Sequence, residues 1–260
     1  MTILDKIIER KKVEVAEAKQ QVPLEELEKY PFFSRACYSL KESVLDPERT
    51  GIIAEFKRAS PSRGLINGTS SVAEVVKGYQ DAGASAVSVL TDSDFFKGAL
   101  ADLSAAREVL TIPLLRKEFI VDTYQIAEAK AYGADIILLI AACLDSNEIK
   151  AYADYAKSLG LNVLLEVHNE EELQRSIFDS IDAIGVNNRN LKDFVVDLNH
   201  SYDLVNTIPN RLIKVSESGI SDPKTINELK QAGFQGFLIG ENFMKTGDPT
   251  KAIKEFVKEL

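Results

Sequence analysis

Two rhythms alternate along the chain from Gly51 onward. Short apolar runs are separated by stretches in which apolar residues recur every three or four positions. The first pattern fits a strand buried on both faces, the second an amphipathic helix. The strand-like runs are Ile52–Phe56, Ser85–Leu90, Pro113–Lys117, Asp135–Ile140, Asn162–Val167, Ala183–Val186, Leu212–Val215 and Gly236–Ile239. Helices are predicted over Val72–Ala82, Leu100–Leu110, Asp122–Tyr132, Ser146–Leu159, Glu170–Phe178, Leu198–Asn206, Pro223–Ala232 and Thr250–Leu260. Glycine stands just before the next strand in Ala82-Gly83, Tyr132-Gly133, Leu159-Gly160 and Ala232-Gly233, where a left-handed C-cap needs no Cβ. The unit recurs as AGASAV and YGADII, with AGFQGF as a variant.

The opening segment differs. Thr2 is placed to cap a helix with Asp5 three residues on, a capping-box arrangement. Ile3, Leu4, Ile7 and Ile8 form one apolar stripe, and Pro23 ends the helix. A second short helix is predicted over Leu24–Tyr30 and a third over Ser34–Ser43. With no strand signal, residues 1–50 read as a helical extension packed on a body formed by residues 51–260, the two making one structural domain. Its role is packing or closure of a pocket mouth. Eight β-then-α units after such a preface predict an α/β fold, a TIM (β/α)8 barrel with an N-terminal helical extension. A doubly wound open sheet is the competitor, but no GxGxxG loop follows the first strand.

Composition narrows the class. With 260 residues, 45% of them hydrophobic, the chain can bury a large core. A net charge of −9 and a pI of about 5.0 argue against general binding of nucleic acid or anionic membrane. They leave room for a local basic pocket that takes an anionic small molecule. Cys37 and Cys143 lie far apart without metal spacing and read as free thiols of a reducing compartment. The N-terminus mixes charges and has no apolar signal region, and the longest apolar run, Ile136–Cys143, is too short to span a bilayer. A soluble cytoplasmic protein is expected.

In such a barrel, chemistry sits at the C-terminal ends of the strands. Period-two geometry puts Glu55 and Lys57 on the face of Ile53, where they are an ion pair or part of a site. Lys117 is in phase with Leu115, Glu166 with Leu164, Asn187 with Gly185, and Glu217 with Val215. Arg189 follows Asn187 in phase, Ser218 and Gly219 follow Glu217, and the last strand ends in Gly240. The fourth run ends apolar, at Ile140-Ala141-Ala142. Lys117 suits a general acid and Glu166 a general base, the plain alternative being an ion pair of Lys117 with Glu55 or Glu166. Lys57 suits a carboxylate or phosphate, and Asn187 offers both donor and acceptor. The loops Ser216–Ile220 and Ile239–Asn242 bring small residues to the recurrent phosphate site of this barrel class. His168 and His200 have no partner at metal spacing, and His168 reads as a loop start beside Glu166. Phe95, Phe96 and Phe119 are core residues or an aromatic wall. Glu170-Glu171-Glu172 reads as a charged first helical turn.

These residues fall into words. EFKRASPS from Glu55, LRKEFI from Leu115, LEVH from Leu165, IGVNNRNL from Ile184 to Leu191, VSESGI from Val215 and GADIILLI from Gly133 closely resemble the motifs of the indole-3-glycerol phosphate synthase family, in order. The family closes the indole ring of a carboxyphenylamino-deoxyribulose phosphate with loss of carbon dioxide and water, in tryptophan synthesis, without cofactor or metal. The resemblance implies that Lys117 protonates the ribulose carbonyl and that Glu166 is the acid/base of the later dehydration. It implies that Lys57 binds the carboxylate or phosphate and shares proton-donor work, with Glu55, Asn187 and Glu217 as the positioning set. Ser60, Arg189, Ser218, Gly219 and Gly240 become substrate and phosphate contacts, and Phe96, Phe119, Leu138 and Ile140 the wall for the aryl group. The Ser60-Pro61-Ser62-Arg63-Gly64 turn becomes a mobile flap. The substrate is a small anion carrying phosphate and carboxylate, and a monomer is expected. One departure stands out: where the family often has a small residue after the last glycine, this chain has Glu241. A carboxylate there would repel phosphate, so its side chain is expected to turn outward and leave its N–H to bind. Another ribulose-phosphate barrel enzyme, such as an isomerase, and a non-catalytic phosphate-binding barrel are the alternatives.

Overall fold

A computed structural model describes residues 2–190 and 194–260 of the chain. Leu191, the last residue of the IGVNNRNL motif, lies outside the described residues. Eight parallel strands close into a barrel: β1 Ile52–Phe56, β2 Ala86–Leu90, β3 Leu114–Lys117, β4 Ile136–Ile140, β5 Asn162–Val167, β6 Ala183–Asn187, β7 Ile213–Glu217 and β8 Gly236–Ile239. Each agrees with its expected run to within a residue or two. Pairing register levels the strand ends, with Leu90 opposite Lys117, Ile140 opposite Glu166 and Asn187 opposite Glu217.

The strands face two cores. Ile53, Leu115, Leu138, Leu164, Val215 and Leu238 point inward and fill the barrel. The alternate positions, such as Ile52, Val87, Ile137 and Leu165, meet the surrounding helices. This two-sided burial is why the strands read as continuous apolar runs. The helices are α1 Ile3–Gln21, α2 Leu24–Leu27, α3 Leu40–Leu45, α4 Val72–Asp81, α5 Leu100–Val109, α6 Thr123–Ala131, α7 Ser146–Ser158, α8 Glu170–Gln174, α9 Asn199–Leu204, α10 Pro223–Ala232, α11 Glu241–Met244 and α12 Pro249–Val257. Among the described residues, no helix is long and apolar enough to cross a membrane.

The N-terminal segment touches both ends of the barrel. At α1 the Thr2–Asp5 capping box forms as expected. Val15 then packs with Leu27 of α2 and with Tyr124, Ala127 and Ala131 of α6. Lys11 is buried, 2.9 Å from Asp92 and 3.1 Å from Glu118, just past the ends of β2 and β3. At the opposite end, Leu40 and Val44 of α3 join the interior cluster and plug the barrel floor.

Some helices are shorter than the pattern predicts. Ser34–Ser43 is not helical until Ser39, whose hydroxyl accepts the Glu42 N–H and starts α3. The residues before it are held by Asp135, whose Oδ1 accepts from Arg35 Nη2 at 2.6 Å and from the Tyr38 N–H at 2.8 Å. The second helix stops at Leu27 and continues as turns. The helix after β5 stops at Gln174, where the Arg175 side chain leaves for the Leu144 carbonyl. The one after β6 contracts to α9. Two features were not foreseen: the short α11, and a hairpin pairing Ala59–Ser60 with Gly64–Leu65.

Asp135 is the hub of the floor. It is fully buried, and its Oδ2 accepts from Arg107 Nη1 at 2.6 Å and from the Leu114 N–H at 2.9 Å. Replacing it strands a buried guanidinium. Asp135→Ala is therefore expected to lower unfolding stability by about 3–5 kcal/mol in urea titration, with an unchanged active-site geometry in the fraction that folds.

Candidate active site

The strand ends open into a cavity of about 560 Å³. Its wall holds all the site residues named from the sequence: Glu55, Lys57, Ser60, Phe96, Lys117, Phe119, Leu138, Ile140, Glu166, Asn187, Arg189, Glu217, Ser218, Gly219, Gly240 and Glu241. Phe95 is not part of that wall. Its N–H and that of Phe96 are donated to Asp92 Oδ1, at 2.8 and 3.2 Å.

The polar groups form two linked sets. Lys57 Nζ lies 2.8 Å from Glu55 Oε1. Lys117 Nζ lies 2.9 Å from Glu217 Oε2 and 3.4 Å from Glu166 Oε2. The expected ion pair with Glu166 forms, but the nearest partner of Lys117 is Glu217, 100 positions along the chain, which the sequence did not point to. Asn187 Nδ2 donates to the other Glu166 oxygen at 3.0 Å. Asn187 Oδ1 accepts from Ser218 Oγ at 2.9 Å and from the Arg189 N–H at 3.0 Å, which fixes the amide's orientation. Two small residues make room: a Cβ on Gly185 would strike the Glu217 carboxylate, and one on Gly240 would strike Glu55.

Burial and charge set the protonation states. Burial pushes the Lys117 ammonium down, but Glu217, Glu166 and Glu55 outweigh it and hold the lysine above its ordinary range. Burial pushes the Glu166 carboxyl up, yet Lys117, His168 and the Asn187 amide together bring it below the usual value. Glu217 goes the other way. Burial and the nearby Glu166 and Glu55 charges raise it to about 7 against the pull of Lys117. Two carboxylates thus share one ammonium and differ in proton affinity, which separates an ionised base from a group that carries a proton near neutrality.

The remaining walls divide by polarity. At one end Ser218 and Gly219 adopt left-handed φ values of 69° and 82°, a backbone turn that suits an anion. Glu241 corrects the sequence expectation. Its carboxylate does not turn outward but bridges the rim, with Oε1 3.1 Å from Arg63 Nε and Oε2 3.6 Å from Arg189 Nη2. Two guanidiniums meeting there stabilise the charge, a juxtaposition that only barrel closure creates. At the other end Phe96 and Phe119 tilt together with ring centroids 6.0 Å apart, beside Leu138 and Ile140 of β4. Ile3, Leu4 and Ile7 of α1, whose segment the sequence left between packing and closing a pocket mouth, also line the cavity. The α1 stripe was visible, but a stripe does not say which surface it covers. Cys37 and Cys143 are free and half-buried.

Lysines and glutamates kept in contact at the mouth of a barrel are poor packing material and good proton carriers. They place the chain among the (β/α)8-barrel enzymes that work by acid–base chemistry. Within that class, residues 4–256 match the family model described as indole-3-glycerol phosphate synthase. A protein of that name from Bacteroides thetaiotaomicron is 46% identical over 258 residues, covering 99% of this chain and 98% of the relative. One from Campylobacter jejuni is 42% identical over 256 residues, covering 97% and 98%. The chain belongs to the indole-3-glycerol phosphate synthase family. Among solved structures, a tryptophan synthase complex from Pyrococcus furiosus matches with a TM-score of 0.61 at 18% identity, over 82% of this chain and 98% of that one. The structure titled native KDPGal matches with a TM-score of 0.57 at 16% identity, over 80% and 91%. At these identities the likeness concerns the fold.

The raised Glu217 carboxyl can be read directly. Its folded value lies above that of a free glutamate, so the proton stays on at mildly acidic pH and leaves as pH rises through about 7. A protonated-carboxyl infrared band that fades through that range and is missing from Glu217→Gln is expected. Loss of the whole band below about pH 5, where ordinary glutamates titrate, would contradict the assignment.

Proposed function

We propose that this chain converts 1-(2-carboxyphenylamino)-1-deoxy-D-ribulose 5-phosphate to indole-3-glycerol phosphate, carbon dioxide and water, a step of tryptophan biosynthesis. The observation that carries the mechanism is the Lys117 ammonium held against two carboxylates of unequal proton affinity. The same cavity wall holds Arg63 and Arg189 and the aromatic pair Phe96 and Phe119. The aryl group lies against Phe96, Phe119, Leu138 and Ile140. The phosphate takes the backbone N–H groups at Ser218, Gly219, Gly240 and Glu241 with Arg189 and Ser60, and the substrate carboxylate meets Lys57.

In the first step the aryl carbon bearing the carboxylate attacks the ribulose carbonyl carbon. Lys117 gives its proton to the carbonyl oxygen as that oxygen becomes a hydroxyl. Carbon dioxide then leaves and the ring regains its aromatic electrons. In the last step the new hydroxyl takes a proton from Lys57 and leaves as water, while Glu166 takes the ring proton whose loss completes the indole double bond. Glu55 and Glu217 position the two lysines, and Asn187 orients Glu166 and the substrate hydroxyls. The steps are a ring closure, a decarboxylation and a dehydration whose protons are moved by the chain's own acids and bases, so the scheme needs no cofactor. The Ser60–Gly64 turn serves as a flap over the bound anion. We read the protein as a soluble cytoplasmic monomer in which residues 1–50 extend the barrel of residues 51–260.

Purified protein given the carboxyphenylamino substrate is expected to generate indole fluorescence. An isomerase acting on a related sugar phosphate would leave the fluorescence flat. Lys117→Ala should reduce kcat by about 10²–10⁴-fold or more while circular dichroism stays unchanged. Glu166→Gln should lose kcat to a similar degree with substrate still bound. Arg189→Ala should act mainly on KM, and a pure kcat defect would contradict its binding role.

A further inference from the structure

His168 stands two residues beyond Glu166, on the same side of β5 as it leaves the barrel. Its imidazole lies between two carboxylates. Nε2 is 3.5 Å from Glu166 Oε1, and Nδ1 is 3.3 Å from Glu172 Oε2. Glu172 is itself fixed: its Oε2 accepts the His168 N–H at 2.8 Å, and its Oε1 accepts from Asn169 Nδ2 at 3.2 Å. Nε2 is buried and has no hydrogen-bond partner in this arrangement, although it faces the Glu166 oxygen. A neutral imidazole has one N–H and can serve only one of these carboxylates, whereas the imidazolium has two and serves both.

We propose that His168 is a positioning residue for Glu166: anchored by Glu172, its imidazolium holds the Glu166 carboxylate ionised and aimed into the cavity. This rests on the reading of Glu166 as the acid/base of the dehydration. The charged surroundings favour it. Glu166 faces the ring from β5, Glu172 from α8 and Glu217 from β7. The Cys143 thiol lies close to the same carboxylates, and burial together with Glu166 and Glu172 keeps it protonated, up to about 12. The nearby cations are directed elsewhere. Lys117 is held by Glu217 and the far oxygen of Glu166, and Arg175 is bound to the Leu144 and Ala141 carbonyls. Burial alone would push the imidazole down, but Glu172, Glu166 and Glu217 together raise it above the ordinary histidine range.

The arrangement gives Glu166 three supports: Lys117 on one oxygen, and Asn187 and His168 on the other. A carboxylate so held takes a proton during dehydration and surrenders it before the next cycle. Without the imidazolium, Glu166 binds protons more tightly and is lost as a base at higher pH. A histidine that merely capped the strand exit would change stability without moving that titration.

The chain has two histidines, so imidazole Cε1–H resonances can be followed one by one, with His200→Gln as the assignment. His168 is expected to titrate above about 6.5, and its midpoint should fall in Glu166→Gln and in Glu172→Gln. A midpoint unmoved by Glu166→Gln overturns the proposal. In kinetics, His168→Gln should move the acidic limb of kcat to higher pH by about one unit, a roughly tenfold loss on that limb, with KM changed far less. A uniform drop in kcat with an unshifted limb also overturns it. Should His168→Gln fail to fold, Glu172→Gln keeps the imidazole and should move the limb in the same direction by a smaller amount. The resonance experiment needs no turnover, so failure of the catalytic reading and failure of this proposal give different results.

Discussion

Everything at the top of this barrel answers to one buried ammonium. Lys117 is removed from most of its water and is repaid only by contact with Glu217 and Glu166. Such a cluster adds little net stability, since apolar residues of the same volume would hold a barrel together as well or better. Its upkeep is visible in neighbouring positions: glycine at 185 leaves space for Glu217, glycine at 240 leaves space for Glu55, and Asn187 is pinned by Ser218 so that its amide meets Glu166. A stability-only design would fill these places.

The opposite end of the barrel shows the contrast. Asp135, Arg107 and Arg35 also form a charged group around a buried carboxylate, and it ties strand starts to the N-terminal segment just before α3. There the polar network fixes the path of the chain; at the mouth it faces an open cavity. The same N-terminal segment serves both ends, since Leu40 and Val44 plug the floor while Ile3, Leu4 and Ile7 complete the apolar wall of the site. Lys11 locks α1 onto Asp92, the residue that also receives the N–H of Phe96.

The cavity is electrically divided although the chain as a whole is acidic. Arg63 and Arg189 meet at Glu241 in the lining, Lys57 pairs with Glu55, and Phe96 packs against Phe119 in the same lining. Glu241 is held between the two arginines and pairs their charges at the rim. A ligand with a phosphate at one end and an aryl ring at the other matches that division.

Alternating apolar runs and glycine-closed helices were enough to specify a barrel of eight strands, because burial on both faces leaves a continuous hydrophobic signature that survives in a single chain. Period-two phase likewise identified Glu55, Lys57, Lys117, Glu166, Asn187 and Glu217 as inward-facing strand ends. Helix ends in the N-terminal segment were not legible, because the turns before α3 are held by Asp135, whose contact with the Tyr38 N–H spans 97 positions. Partner choice was not legible either. Strand phase tells which side a residue faces but not its neighbour across the barrel, so Lys117 with Glu217, Glu241 with Arg63, and α1 with the aryl wall emerged only in three dimensions. The fold and the membership of the polar ring were legible in the chain alone, since both follow from local periodicity. Pairing, protonation and the place of His168 behind Glu166 were decided by the tertiary structure, because they depend on distances between residues brought together only when the barrel closes.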